Sequence, residues 1–159
     1  NGVENLTIPV EHQAHKVAMK DVQISEHSNW QLMHWRAIEA AYNSTPFFDY
    51  YKDDLEPFFQ QRFTSLLDFN LRIQTTILDL LGFESTVTLS DSYKEEYHSG
   101  EIDLREAYHP KKKAVPLDVH FEHPNYYQVF NHKFGFLPDL SIIDLLFNMG
   151  NEARLILKK

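Results

Sequence analysis

Apolar positions change their period along this chain, and each change marks an element. Leu6-Thr-Ile-Pro-Val10 reads as a short β segment, and Asp21-Val-Gln-Ile-Ser25 alternates polar and apolar as a second strand would. Pro9 keeps the first at an edge or a strand end, because it has no N–H for a ladder. The polar stretch from Glu11 to Lys20 between them reads as a loop. From Trp30 the spacing turns helical. Trp30, Met33, Ala37, Ile38 and Ala41 mark one face, Ser28 or Asn29 is the cap, and the helix runs to about Tyr42. Asn43-Ser-Thr-Pro46 breaks it. A helical stretch from Phe47 to Gln60 is cut in two at Pro57. Ser65 and Asp68 have capping-box spacing ahead of a long helix through Leu71, Ile73, Ile77, Leu78 and Leu81, and Gly82 is its stop.

Beyond Gly82 the pattern weakens. Thr86-Val-Thr-Leu-Ser90 is β-like, Lys94 to Tyr108 reads as a solvated helix or loop, and Leu117 to Phe121 alternates among prolines. Tyr126 to Phe130 leads into a closing helix. There Ser141 and Asp144 have capping-box spacing, and Ile142, Leu145, Leu146 and Met149 are expected to be mostly buried. Gly150 stands where a helix end tolerates a left-handed residue. Arg154 to Lys159 reads as a terminal strand or a continued helix. The expectation is an α+β fold: one mainly helical domain over residues 1–159, with a small antiparallel sheet.

Composition narrows the functional classes. At 159 residues the chain is long enough for one proper core, and 43% hydrophobic with 24% charged residues is ordinary globular usage. Its 12 Phe and 8 Tyr make ring packing a large part of that core. A net charge of -8 argues against nonspecific nucleic-acid binding, which rests on neutralising phosphates. With no cysteine, disulfides, thiolate metal sites and a cysteine nucleophile are excluded. No apolar run approaches the ~20 residues of a membrane span. No phosphate loop, dinucleotide glycine pattern or nucleophile elbow occurs, so a backbone phosphate cradle is not expected and the cofactor is left unknown.

The candidate chemistry lies in a few polar residues on apolar elements. Asp118, His120, Glu122 and His123 are the best metal-like group, but their spacing forms no compact ligand set and the expectation is no metal. Lys111, Lys112 and Lys113 read as a solvated surface. His34 follows Trp30 by one helical turn, with Trp35 and Arg36 beside it. It reads either as a histidine packed among rings, which leads on sequence alone, or as a general acid or base facing a cleft. Tyr42 with Phe47 and Phe48 makes either core or an aromatic wall for a ligand. Asp144 reads first as a capping carboxylate. Asn148, unfavourable in mid-helix, should face solvent or bond something specific, and Tyr127, Gln128 and His132 upstream complete a polar patch with it.

Asn29-Trp30, His34-Trp35, Ala41-Tyr42-Asn43-Ser44-Thr45-Pro46-Phe47-Phe48 and Gly135 to Gly150 together resemble the WbqC-like family. These are bacterial proteins often associated with O-antigen and surface-polysaccharide gene clusters. The resemblance implies an N-terminal strand region ahead of Leu6 that is absent here and would complete the sheet. The open edge this leaves at Leu6 to Val10 raises the expectation of a homo-oligomer. It further implies a cytoplasmic enzyme of lipopolysaccharide (O-antigen) biosynthesis that transfers an acyl or aminoacyl group, such as glycine, to an amino sugar. The expected partners are a nucleotide amino sugar or an activated acyl donor. For such transfer the bets are His34 as base, with Asp144 orienting, Asn148 and Tyr42 as donors, and Arg36, Tyr127 and Gln128 binding substrate. The rival is a noncatalytic ligand-binding or assembly protein of the same pathway.

Overall fold

A computed structural model of the chain describes residues 3–12, 15, 17–84, 86–95, 98, 100–101, 103, 105 and 124–158. It divides into two units, Asn1–Ser85 with Asn125–Lys159, and Thr86–Pro124. In the second, the described residues form no helix or strand. Exposed ion pairs join Lys94 to Glu101 and Arg105 to Asp103 among its described residues.

The larger unit is helical. Among the described residues it has seven α-helices: α1 Trp30–Tyr42, α2 Phe48–Leu55, α3 Pro57–Gln60, α4 Leu66–Leu80, α5 Asn131–Phe134, α6 Ile142–Met149 and α7 Ala153–Leu157. Short 3-10 turns at Met19–Asp21 and Gly150–Glu152 complete it. Pro57 sits at the start of α3 and separates it from α2, where its missing N–H costs nothing. The Ser65 hydroxyl caps α4 by accepting the Asp68 N–H at 3.3 Å. At the other end Gly82 has φ +69, and the Phe83 N–H reaches back to the Leu78 carbonyl at 2.9 Å, closing the helix. Arg154 to Leu157 lies in α7 rather than in a strand.

Among the described residues the expected antiparallel sheet does not form, so the α+β expectation is corrected. Among the described residues there is no strand, only isolated antiparallel bridges, Val10 with Ile24 and Gln23 with Ser65. The segment 22–25 is clamped between two others by two backbone bonds on each side: Ser25 N–H to the Pro9 carbonyl and Glu11 N–H to the Gln23 carbonyl, and Ile24 N–H to the Thr64 carbonyl and Leu66 N–H to the Val22 carbonyl. Its period of two is nevertheless used. Ile24 is buried against Trp30, Phe58 and Phe69, so helices cover the apolar face that a sheet partner was expected to extend. Thr86 to Ser90 forms no strand either. Leu117 to Phe121, Lys111 to Lys113 and the metal-like group at Asp118, His120, Glu122 and His123 lie outside the described residues. Among those described, no group of three or more His, Asp or Glu is placed to hold a metal ion. No described helix is long and apolar enough to cross a membrane.

Two clusters build the core. One joins Trp35, Ile38, Phe48, Tyr51, Leu55, Leu81, Leu145, Leu146, Phe147 and Ala153, and the other is the group around Ile24. Trp35 stacks on Phe59 and Phe48, and Phe147 meets Phe48 and Tyr42 with ring centroids 5.1 Å apart in each case. On α1 the buried face is Trp30, His34, Trp35 and Ile38, while Met33, expected inward, is exposed. The helix thus turns its His34 and Trp35 side inward. The Phe47 N–H donates to the Phe147 carbonyl at 3.0 Å, which pins the turn after α1 directly onto α6.

Candidate functional site

Two helices and one non-helical segment meet at Asp144. On α6, Asp144 and Asn148 are one turn apart and both buried. Beside them runs the segment 125–128, which forms no helix and whose burial alternates residue by residue. Alternation therefore turns Tyr126 and Gln128 toward α6 and Tyr127 away. The Tyr126 hydroxyl donates to Asp144 Oδ2 at 2.7 Å, and Gln128 Nε2 donates to the same oxygen at 3.0 Å. Tyr42, the last residue of α1, stands close enough for the Asp144 carboxylate to act on its phenol. Burial, then the Asp144 charge, pushes the Tyr42 phenol well above the ordinary tyrosine range. The Tyr126 phenol moves the same way, from burial first and its bond to Asp144 second. Both hydroxyls are therefore fixed O–H donors at neutral pH.

Gln128 and Asn148 shape the loop that follows. Gln128 Oε1 accepts the Leu137 N–H at 2.9 Å and its Nε2 donates to the Leu137 carbonyl at 2.9 Å, closing residues 129–136 into a loop. Asn148 Oδ1 accepts the Val129 N–H at 2.9 Å. Between this loop, α1, α6 and the segment 3–6 lies a cavity of about 690 Å³, within the size range of small-molecule sites. Its polar lining includes Glu4, Tyr42, Gln128, Lys133, Asp139, Asp144 and Asn148, and its apolar lining includes Ile38, Phe130, Phe134 and Ile143.

Four of the residues singled out by sequence come together here: Tyr42, Gln128, Asp144 and Asn148. His34, Arg36 and Tyr127 are not among the lining residues. His34 is buried, with its ring 5.1 Å from Trp30 and 6.5 Å from Phe59, as the packed-histidine alternative described. Burial lowers its pKa below 6.5, opposed by a hydrogen bond to the Thr7 backbone and the charge of Glu4. Arg36 is exposed on the outer side of α1, and Tyr127 is 55% exposed.

The capping box at α6 is corrected. The Ser141 side chain makes no cap bond, and the Asp144 carboxylate turns inward to Tyr126 and Gln128 instead of back to the Ser141 amide. Buried phenol and amide donors hold that carboxylate better than one backbone N–H at a wet helix end. Sequence reasoning missed Tyr126. Its signal was present in the two-residue spacing to Gln128, which puts both on one face of an extended segment.

A curated relative, the uncharacterized protein Rv1507c of Mycobacterium tuberculosis (strain ATCC 25618 / H37Rv), is 26% identical over 174 residues, covering 96% of this chain and 74% of that protein. No solved structure matches the chain significantly. A profile of the WbqC-like protein family matches residues 1–112, which include all of α1 with Trp30, His34 and Tyr42 and the turn through Pro46 to Phe48. With more than half of its length matched, the chain belongs to the WbqC-like protein family.

Proposed function

We propose that this protein works in bacterial surface-polysaccharide (O-antigen) synthesis, in the cytoplasm, and that its cavity binds a sugar intermediate of that pathway. Family membership supports the pathway. The observation that carries the ligand class is the lining itself. The partly buried Tyr42 hydroxyl and the buried Gln128 amide and Asp144 carboxylate line one cavity together with Phe130 and Phe134. A sugar offers the matching pattern, hydroxyl donors and acceptors around an apolar ring face. Titrating the purified chain with nucleotide sugars by calorimetry or thermal shift tests this. Saturable binding that weakens in Tyr42→Phe is expected, and no binding by any nucleotide sugar rejects it.

The alternative is catalysis of acyl or aminoacyl transfer, glycine being one such group, to an amino sugar. In that step the sugar amine attacks the activated acyl carbon, the donor's leaving group departs and the amine gives up a proton. Tyr42 supports it as a protonated phenol at the cavity wall, where a developing oxyanion would compete with the Asp144 carboxylate for its one proton. Against it stands His34, the base favoured from sequence, whose ring is packed between Trp30 and Phe59 outside the lining. The noncatalytic, ligand-binding function is therefore the better supported of the two. Incubation with an activated glycyl donor and an amino sugar, read by mass spectrometry, separates them: N-glycyl sugar forms only if the protein is the transferase.

A further inference from the structure

The loop that walls the cavity is built as a unit of its own. Residues 130–135, which contain α5, are all exposed. Among the described residues, their recorded hydrogen bonds stay within the loop or return to its base. Asn131 N–H donates to the Gln128 carbonyl, Lys133 and Phe134 N–H to the Phe130 carbonyl and Gly135 N–H to the Asn131 carbonyl, while the His132 ring meets the Val129 carbonyl. Phe130 and Phe134 line the cavity yet are 38% and 39% exposed, and neither belongs to a core cluster. A segment with local bonds and little buried apolar surface opens at low free energy. Two buried side-chain amides hold its ends. Asn148 accepts from Val129, and Gln128 grips Leu137 by both its N–H and its carbonyl. Gln128 Nε2 also donates to Asp144 Oδ2 at 3.0 Å. One amide thus spans from the residue that closes the loop to the carboxylate in the cavity wall, although the Asp144 side chain has no recorded bond to the loop itself.

We infer that residues 129–136 form a lid over the cavity, with Gln128 as the latch that ties the lid to Asp144. The Gln128 NH2 group serves the Leu137 carbonyl and the Asp144–Tyr126 pair, and its oxygen accepts from Leu137. These bonds need the amide in one orientation, which the Asp144 carboxylate fixes. Opening breaks the two Leu137 bonds and lets a ligand past Phe130 and Phe134. Closing sets those rings against it. The inference concerns the cavity whatever its occupant, so it does not stand or fall with the sugar reading.

Hydrogen exchange and trypsin cleavage of the full chain test this. The amides of Asn131, Lys133, Phe134 and Gly135 should exchange as one group, by about tenfold or more faster than those in the middle of α1. Lys133 is a trypsin site within the lid, and Arg72, inside α4, reports general unfolding. Cleavage after Lys133 follows the open population. Asp144→Asn replaces a charged acceptor with a neutral one, so it should speed that cleavage by about tenfold relative to cleavage after Arg72. Gln128→Leu should do at least as much. Unchanged cleavage after Lys133 in both variants overturns the latch. Lid amides that exchange at unrelated rates, or as slowly as α1, overturn the lid, and this measurement on the wild-type chain decides if neither variant folds. UDP-glucose shown by calorimetry to be bound should slow cleavage after Lys133, and an unchanged rate with the sugar bound also overturns the lid. If UDP-glucose does not bind, the sugar site fails, while exchange and cleavage of the free protein still uphold or overturn the lid.

Discussion

Asn148 joins α6 to the loop that walls the cavity: its Oδ1 accepts the Val129 N–H at 2.9 Å while its Nδ2 donates to the Asp144 carbonyl at 2.8 Å. An amide side chain that weakens a helix interior thus has both ends engaged, one of them nineteen residues upstream. Asn148→Leu removes the partner of the Val129 N–H and should cost about 1–3 kcal/mol. Urea unfolding measures it, and an unchanged midpoint would remove Asn148 from the structural account.

The two capping-box sequences should behave differently. Ser65 caps α4 through its hydroxyl, so Ser65→Ala should cost about 1 kcal/mol. Ser141 makes no such bond, so Ser141→Ala should stay within about 0.5 kcal/mol of wild type. Equal losses in thermal melts of the two variants would contradict the α6 geometry.

Gly150 should resist substitution. Its φ of +55 with ψ of -133 belongs to glycine, and a Cβ there would meet the Phe47 ring at 2.7 Å. Gly150→Ala combines backbone strain with a clash against a ring that the Phe47–Phe147 bond holds in place, and should destabilise by about 2 kcal/mol or more. A thermal midpoint within a degree of wild type would count against it.

His34 should leave a mark on the pH dependence of stability. Its folded pKa lies below the unfolded value of 6.5, so the unfolded chain binds the proton more readily. Stability from this residue is fully present above 6.5 and falls as pH drops from there toward the lowered folded pKa. The difference in unfolding free energy between wild type and His34→Gln should change across that window and be flat above it. A difference that is flat from pH 5 to 8 would place the His34 ring in water.

Much of the local structure was legible in the residues. The break at Pro57, the Ser65 cap and the stops at Gly82 and Gly150 follow from residues that act on their own backbone within one turn, whereas α1 begins at Trp30 without a side-chain cap bond from Asn29. Tyr42, Gln128, Asp144 and Asn148 stood out because polar groups on apolar elements need a partner. Which partner each finds was decided by the tertiary fold. Asp144 leaves its own helix cap for Tyr126, eighteen residues back, and for Gln128, both on a segment outside its helix. His34, of the same apparent kind, is closed among rings because α1 rolls toward α3 and the segment around Ile24. The strand-like pattern at 21–25 likewise specified only that one face be buried. Helices bury it here, because a period of two records which side chains turn inward and not whether a strand or a helix covers them.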